Sequence, residues 1–339
     1  MLAHSTQRQV LHATALVPLL HTKPTMKIAM TTPIISHEPV ATTRDHRSTS
    51  SLSSTGPTFD RVVSFGSSST DTGNVYALTK GAWPRPAYFN GRFSNGPTWV
   101  EYLVPLVGAH ELRDFAYGGA TTDNTLVQGW TGAEGDVAVP SVMDQIRMFA
   151  SEEGKEKVGR TLYAVWVGNN DFYYTNATVD PDLVTDNILR AVQTLDELHA
   201  VNDLTPNHHT LVMGMVNWDH TPYFVAQPAE VRNAFQAAAN SYNASLASKI
   251  EQYTNTASTR RATFVPTAHI VPAIYADPEA VGFPRDTDGT PWLDVPDADP
   301  DAQVYFDQFH VTTKVHALFA QAAAAALAGT ARGVEKNAS

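Results

Sequence analysis

The chain has 339 residues, of which 43% are hydrophobic and 17% charged, enough apolar material for a large core. Its net charge of −11 at pH 7 disfavours nucleic acid and anionic membranes as partners. It has no cysteine, which excludes disulfides, thiol nucleophiles and cysteine-based zinc sites together.

Residues 1–57 are rich in Ser, Thr, His and Pro and are expected to be disordered, because they cannot bury enough apolar surface to offset the entropy of ordering. The apolar stretch 11–20 is interrupted by Pro18 and makes a poor signal peptide, so the compartment stays open. No stretch approaches the roughly 18 apolar residues of a membrane-spanning helix. The remaining chain reads as a domain over 58–330 with a short tail at 331–339.

The apolar run 61–65 reads as a buried strand. Gly66 lets the backbone turn, and Ser67, Ser68 and Ser69 follow at once. Residues 75–95 form a long loop rich in aromatics, Pro and Gly; such loops are usually functional or packed on themselves. Trp83, Tyr88, Phe89 and Phe93 could either line a substrate cleft or pack internally. Pro97 marks the start of a helix. A second strand at 112–116 ends at Gly118-Gly119, and a helix is expected over 139–149. The clearest strand, 161–167, is β-branched and aromatic and runs into Gly168-Asn169-Asn170-Asp171.

A helix over 182–200 is followed by a fourth strand at 210–216. The helix 230–253 carries Val231, Phe235, Ala239, Tyr242, Leu246 and Ile250 on one face. A fifth short strand at 263–266 precedes a loop rich in Asp, Pro and Gly, and that loop delivers Asp307 and His310 to the start of a last helix, expected to stop near Gly329. Strands alternating with helices predict an α/β fold, with a mainly parallel sheet covered on both faces.

In a parallel sheet, strand ends of one polarity lie on one edge. Ser68, Gly119 and Asn170 follow successive strands and can therefore converge. Asp307 and His310 are three residues apart, close enough for the carboxylate to orient the imidazole and stabilise its cation. An oriented imidazole can take the proton of a serine hydroxyl, which is otherwise a weak nucleophile. The backbone N–H groups of Ser68 and Gly119 and the Asn170 amide would supply an oxyanion hole. Taken singly, each element has a plainer reading: Gly118-Gly119 as a tight turn, Asn170 as a cap, Asp307 and His310 as a surface pair.

The blocks 65–74, 91–101, 115–121, 168–171 and 307–310 together resemble SGNH hydrolases, also called GDSL esterases and lipases. The second block is similar to the fungal branch, which includes secreted acetylesterases. The resemblance covers roughly 61–327. It implies a flavodoxin-like three-layer α/β/α sandwich with a five-stranded sheet, Ser68 as nucleophile, Asp307 and His310 as its partners, and no metal or organic cofactor. It further implies an ester substrate, whether small-molecule, carbohydrate or lipid, and a monomer is expected. The family's usual Gly-Asp-Ser-Leu is Gly66-Ser67-Ser68-Ser69 here, so the aspartate that commonly braces the turn is absent. Ser67 can hydrogen-bond backbone groups, but without charge. A weakened member that binds a carbohydrate or lipid without turnover, or an acyl transferase using the same serine, are the competing readings.

Other signals are weaker. The Gly-x-Ser-x-Gly elbow, the P-loop and the Gly-x-Gly-x-x-Gly fingerprint are missing. His208, His209 and His220 read as loop histidines rather than metal ligands. Asn176 and Asn243 head glycosylation triplets.

Overall fold

The structure, a computed structural model, describes residues 57–152, 159–201, 208–257 and 260–337. The segment expected to be disordered lies outside the described residues, apart from Pro57.

The strands in chain order are β1 (Arg61–Gly66), β2 (Glu111–Asp114), β3 (Trp130–Thr131), β4 (Val137–Ala138), β5 (Thr161–Trp166), β6 (His208–Met213) and β7 (Ala262–Val265). The helices are α1 (Asn74–Leu78), α2 (Trp99–Leu106), α3 (Val142–Glu152), α4 (Asn169–Tyr174), α5 (Pro181–Val201), α6 (Pro222–Val225), α7 (Ala229–Asn255), α8 (Ile270–Ala276) and α9 (Thr313–Asn337). Five strands form one sheet in the order β2-β1-β5-β6-β7, and every pairing in it is parallel. This is the flavodoxin-like order, and ligands in such sheets bind beyond the carboxyl ends of the strands.

The central strands are buried on both faces, so they read as continuous apolar runs rather than as alternating ones. Val63, Phe65, Tyr163, Val165 and Val212 pack under α3, α5 and α7. Their strand neighbours Val62, Leu162, Ala164, Trp166, Leu211 and Met213 face α2, α8 and α9 on the other side. Of the stripe expected on α7, Phe235, Ala239, Tyr242, Leu246 and Ile250 are buried, while Val231 at its start is half-buried. Burying each such large side chain is worth about 1.5–3 kcal/mol.

Several local expectations change. The stretch 75–95 is not wholly loop: α1 occupies its start, and a short 3₁₀ turn spans Phe89–Gly91. Helix α3 starts three residues late, because Pro140 precedes a cap in which the Ser141 N–H and hydroxyl both donate to Asp144 Oδ2. Helix α9 passes Gly329 and runs to Asn337, since one glycine in a helix interior costs only about 1 kcal/mol.

His208 and His209 are strand residues, not loop residues. Both are buried, His208 against Asp196 at 2.6 Å and His209 against the Thr263 hydroxyl at 2.8 Å. Burial, helped by nearby Arg261 and Arg160, pulls His209 down to about 3 and keeps it neutral. His220 stacks on Tyr275. Asn176 is exposed at positive φ. The Asn243 amide is committed, accepting from Met215 N–H at 2.7 Å and donating to Met215 C=O at 2.9 Å.

Candidate active site

The chain leaves β1 through a tight turn. Gly66 is required there: a Cβ would lie 2.4 Å from the Trp166 carbonyl oxygen. Its backbone is gripped from the side by Gln145, whose Oε1 accepts the Gly66 N–H and whose Nε2 donates to the Gly66 C=O, both at 2.9 Å. The turn closes with the N–H groups of Thr70 and Asp71 donating to Ser67 C=O. Trp99 Nε1 donates to the Thr70 hydroxyl at 3.1 Å. Ser68 sits half-buried on this turn.

Asp71 ties the turn to its neighbours. Its Oδ1 accepts the Gly73 and Asn74 N–H groups at 2.8 and 2.6 Å; its Oδ2 accepts those of Val75 and Gly118 at 3.2 and 2.8 Å. Burial pushes its carboxyl up to about 6 against those four bonds. Asp114, at the end of β2, receives the Ser64 hydroxyl at 2.6 Å and the Thr72 N–H at 2.8 Å. Burial and the nearby Asp71 charge push it up to about 7. The sequence marked Asp71 only as a turn residue of the 65–74 block and did not mark Asp114 at all. The Ser67 hydroxyl, expected to brace the turn, makes no hydrogen bond among the described residues; Asp71 and Gln145 do that work.

Gly119 follows with φ +90°, and a Cβ there would lie 1.8 Å from the Trp130 carbonyl oxygen. The hairpin of β3 and β4 therefore presses directly on this turn. Tyr174, at the end of α4, donates to that same Trp130 carbonyl at 2.6 Å. Asn170, in the first turn of α4, donates through Nδ2 to Ala120 C=O at 2.9 Å. Neither the Ser68 N–H nor the Gly119 N–H donates to another described residue. Asn170 has spent one of its two amide hydrogens.

Asp307 and His310 meet as expected. His310 Nδ1 lies 2.7 Å from Asp307 Oδ2, and Asp307 Oδ1 accepts the N–H groups of Phe309 and His310, each at 2.7 Å. Burial opposes the Asp307 charge, but the His310 charge and these hydrogen bonds hold its carboxyl below the usual range. With Asp307 ionised, Nδ1 carries the proton and Nε2 is left as the acceptor. Behind this pair lies His316 on α9, fully buried and pulled down to about 3 by burial and by His310.

The His310 segment reaches the other turns through aromatic side chains. The Phe93 ring lies 5.2 Å from the imidazole. It also covers Gly118, where a Cβ would come within 2.3 Å of it. Phe309 meets Tyr173 of α4 edge to face at 5.5 Å. Ser68, Gly119, Asn170 and His310 are all half-buried at this one rim. The Ser68 hydroxyl and His310 are not hydrogen-bonded to each other among the described residues; such contacts are often loose without substrate.

No group of three or more His, Cys, Asp or Glu placed to hold a metal ion occurs among the described residues, and no described helix is long and apolar enough to cross a membrane.

Comparison with known proteins finds relatives that are named as esterases and an acyltransferase. The chain is 33% identical over 159 residues to an acetylesterase of Hypocrea jecorina, covering 42% of this chain and 45% of that protein. It is 32% identical over 135 residues to a phosphatidylcholine-sterol acyltransferase of Aeromonas hydrophila, covering 39% of each. A longer match, 25% identical over 284 residues, joins it to an acetylesterase of Thermothelomyces thermophilus, covering 79% of this chain and 88% of that one. The first two matches thus span less than half of those relatives. The family model for GDSL-like lipase/acylhydrolase matches residues 62–323. The chain belongs to the GDSL-like lipase/acylhydrolase family.

Proposed function

We propose that the protein is a serine carboxylic-ester hydrolase that works through an acyl-enzyme on Ser68. The observation that carries this reading is the Asp307–His310 pair, bonded at 2.7 Å, on the same rim as two unspent backbone N–H donors.

His310 Nε2 takes the Ser68 proton as Oγ attacks the ester carbonyl. The carbonyl oxygen gains charge, and the N–H groups of Ser68 and Gly119 and the second amide hydrogen of Asn170 receive it. The alcohol departs with the proton held by His310. Water then attacks the acyl group, giving its proton to His310, and Ser68 regains its hydroxyl as the acid leaves. Asp307 stabilises the imidazolium in both steps without being protonated itself. Each oxyanion donor is worth about 10²–10³ in kcat.

Two acetylesterases among the relatives support short acyl groups. The acyltransferase among them gives a second reading, in which an alcohol replaces water in the second step. Labelling by an organophosphonate probe tests the first claim: the intact protein is labelled and Ser68→Ala is not. Equal labelling of Ser68→Ala would refute it. Rates on esters from acetate to palmitate, with and without an added alcohol, separate acyl length and acceptor.

A further inference from the structure

Asp307 has one more partner than catalysis by the pair requires. The Tyr88 hydroxyl donates to Asp307 Oδ2 at 2.7 Å, the same oxygen that holds His310 Nδ1 at 2.7 Å. The two residues are 219 positions apart. Tyr88 comes from the aromatic stretch that the sequence left open between cleft lining and internal packing. Its ring is held edge-on by Phe306 at 4.9 Å and by Phe93 at 6.2 Å. Its own N–H donates to Arg85 C=O at 3.0 Å. The hydroxyl is thus aimed at the carboxylate by packing on several sides.

Resting on the hydrolase reading, we propose that Tyr88 is a positioning residue of the acid–base pair: its phenol holds Asp307 Oδ2 in place and limits how strongly that oxygen binds the His310 imidazolium. A carboxylate oxygen that accepts a second strong hydrogen bond has less electron density for the first. A general base must be unprotonated at the working pH, so a partner that stabilises the imidazolium too well would sequester the base as its cation. Burial and the Asp307 charge push the Tyr88 phenol well above its ordinary range. It therefore stays a neutral donor wherever the enzyme would work.

Other charged or titratable groups approach from elsewhere. Arg85 lies near the phenol. His316 faces His310 from α9. The Tyr173 phenol bonds to Tyr223 beside Phe309. Asp294 accepts from Gln308 at 2.9 Å. Among the described residues only Tyr88 and His310 bond to Asp307 Oδ2.

The test follows the His310 imidazole by NMR titration in the full chain, beside the pH profile of kcat/KM on a short-chain nitrophenyl ester. Tyr88→Phe keeps the ring and removes the donor. Its His310 midpoint should rise by roughly half a pH unit, and the acid limb of kcat/KM should rise with it. Incorporating 3-fluorotyrosine at position 88 makes the phenol a stronger donor and should move both downward; it covers the case in which Tyr88→Phe does not fold. A His310 midpoint unmoved by either change would overturn the proposal, even if activity falls, because packing alone does not predict a titration shift. Repeating the titration in Ser68→Ala reads the Tyr88 coupling without turnover. Failure of the nucleophile assignment and failure of this proposal are thereby distinguishable.

Discussion

Replacing Gln145 by Met removes one fully buried amide of similar volume and tests what holds the turn that carries Ser68. In the native protein the Gln145 side chain satisfies both the N–H and the C=O of Gly66, and its Nε2 also reaches Pro140 C=O at 3.2 Å. The Gly66 C=O keeps a second partner, the Tyr117 N–H at 3.2 Å. The Gly66 N–H keeps none among the described residues, so the variant buries an orphan donor. An orphan of this kind costs about 1–3 kcal/mol, and each remaining lost bond about 1 kcal/mol. The expected loss is therefore about 3–5 kcal/mol, seen in urea unfolding as a lower midpoint at unchanged slope. Because Ser67 and Ser68 follow Gly66 directly, kcat should also fall under conditions where the variant is fully folded. A loss below about 1 kcal/mol together with unchanged kcat would refute the reasoning, since Gly66 would then be positioned by the sheet alone.

Gly119→Ala places a methyl on the Trp130 carbonyl at a residue with φ +90°. The backbone N–H there must swing away, and kcat should drop about 10²–10³-fold, measured on a folded variant by steady-state hydrolysis. Asn243→Ala strips both bonds from the Met215 backbone and should cost about 2–3 kcal/mol in the same urea assay. Asp171 is pushed up to about 7 by burial, against an ordinary value of 3.8. The folded state thus holds this proton where the unfolded chain has released it, and stability falls as pH rises from about 4 to about 7. Asp171→Asn should flatten that slope in a melting series across the same pH range, while an unchanged slope would mean that Asp171 is ionised throughout.

The central strands β1, β5 and β6 could be read from the sequence because each carries a buried apolar run, with Gly66 and Gly168 marking where β1 and β5 give way to turns; the four-residue edge strand β2, Glu-Leu-Arg-Asp, is marked chiefly by the Gly118-Gly119 turn that follows it. The Asp307–His310 contact was legible for a different reason: three residues of separation leave little freedom in where the partner lies. The helices α1, α4 and α6 are too short to show a 3.6-residue period. His208 and His209 looked like loop residues because a histidine pair gives no apolar signal, yet each finds a polar partner inside the protein. Contacts that join distant segments through one polar side chain left no pattern at all. Tyr88 to Asp307, Gln145 to Gly66 and Asp71 to Gly118 are all of this kind. Each is a single side chain completing a backbone group or a carboxylate, with no periodicity and no motif to mark it.

The same contacts bear on the altered Gly66-Ser67-Ser68-Ser69 block. Its missing aspartate was the reason to consider a member that binds without turnover, on the argument that the turn had lost its charged brace. The turn has another charge. Asp71 collects four backbone N–H groups, and one of these belongs to Gly118, the residue before Gly119, the proposed oxyanion donor. A single carboxylate therefore sets the spacing between the turn that carries Ser68 and the turn that faces it. Gln145 fixes the strand end, and the Trp99 indole fixes Thr70. A negative charge at position 67 would add to a region that already holds Asp71 and Asp114, whose mutual repulsion helps raise the Asp114 carboxyl to about 7. An uncharged Ser67 relieves that crowding. The substitution thus removes a charge that the surrounding bonds do not need, and it gives no physical ground for expecting the serine to be idle.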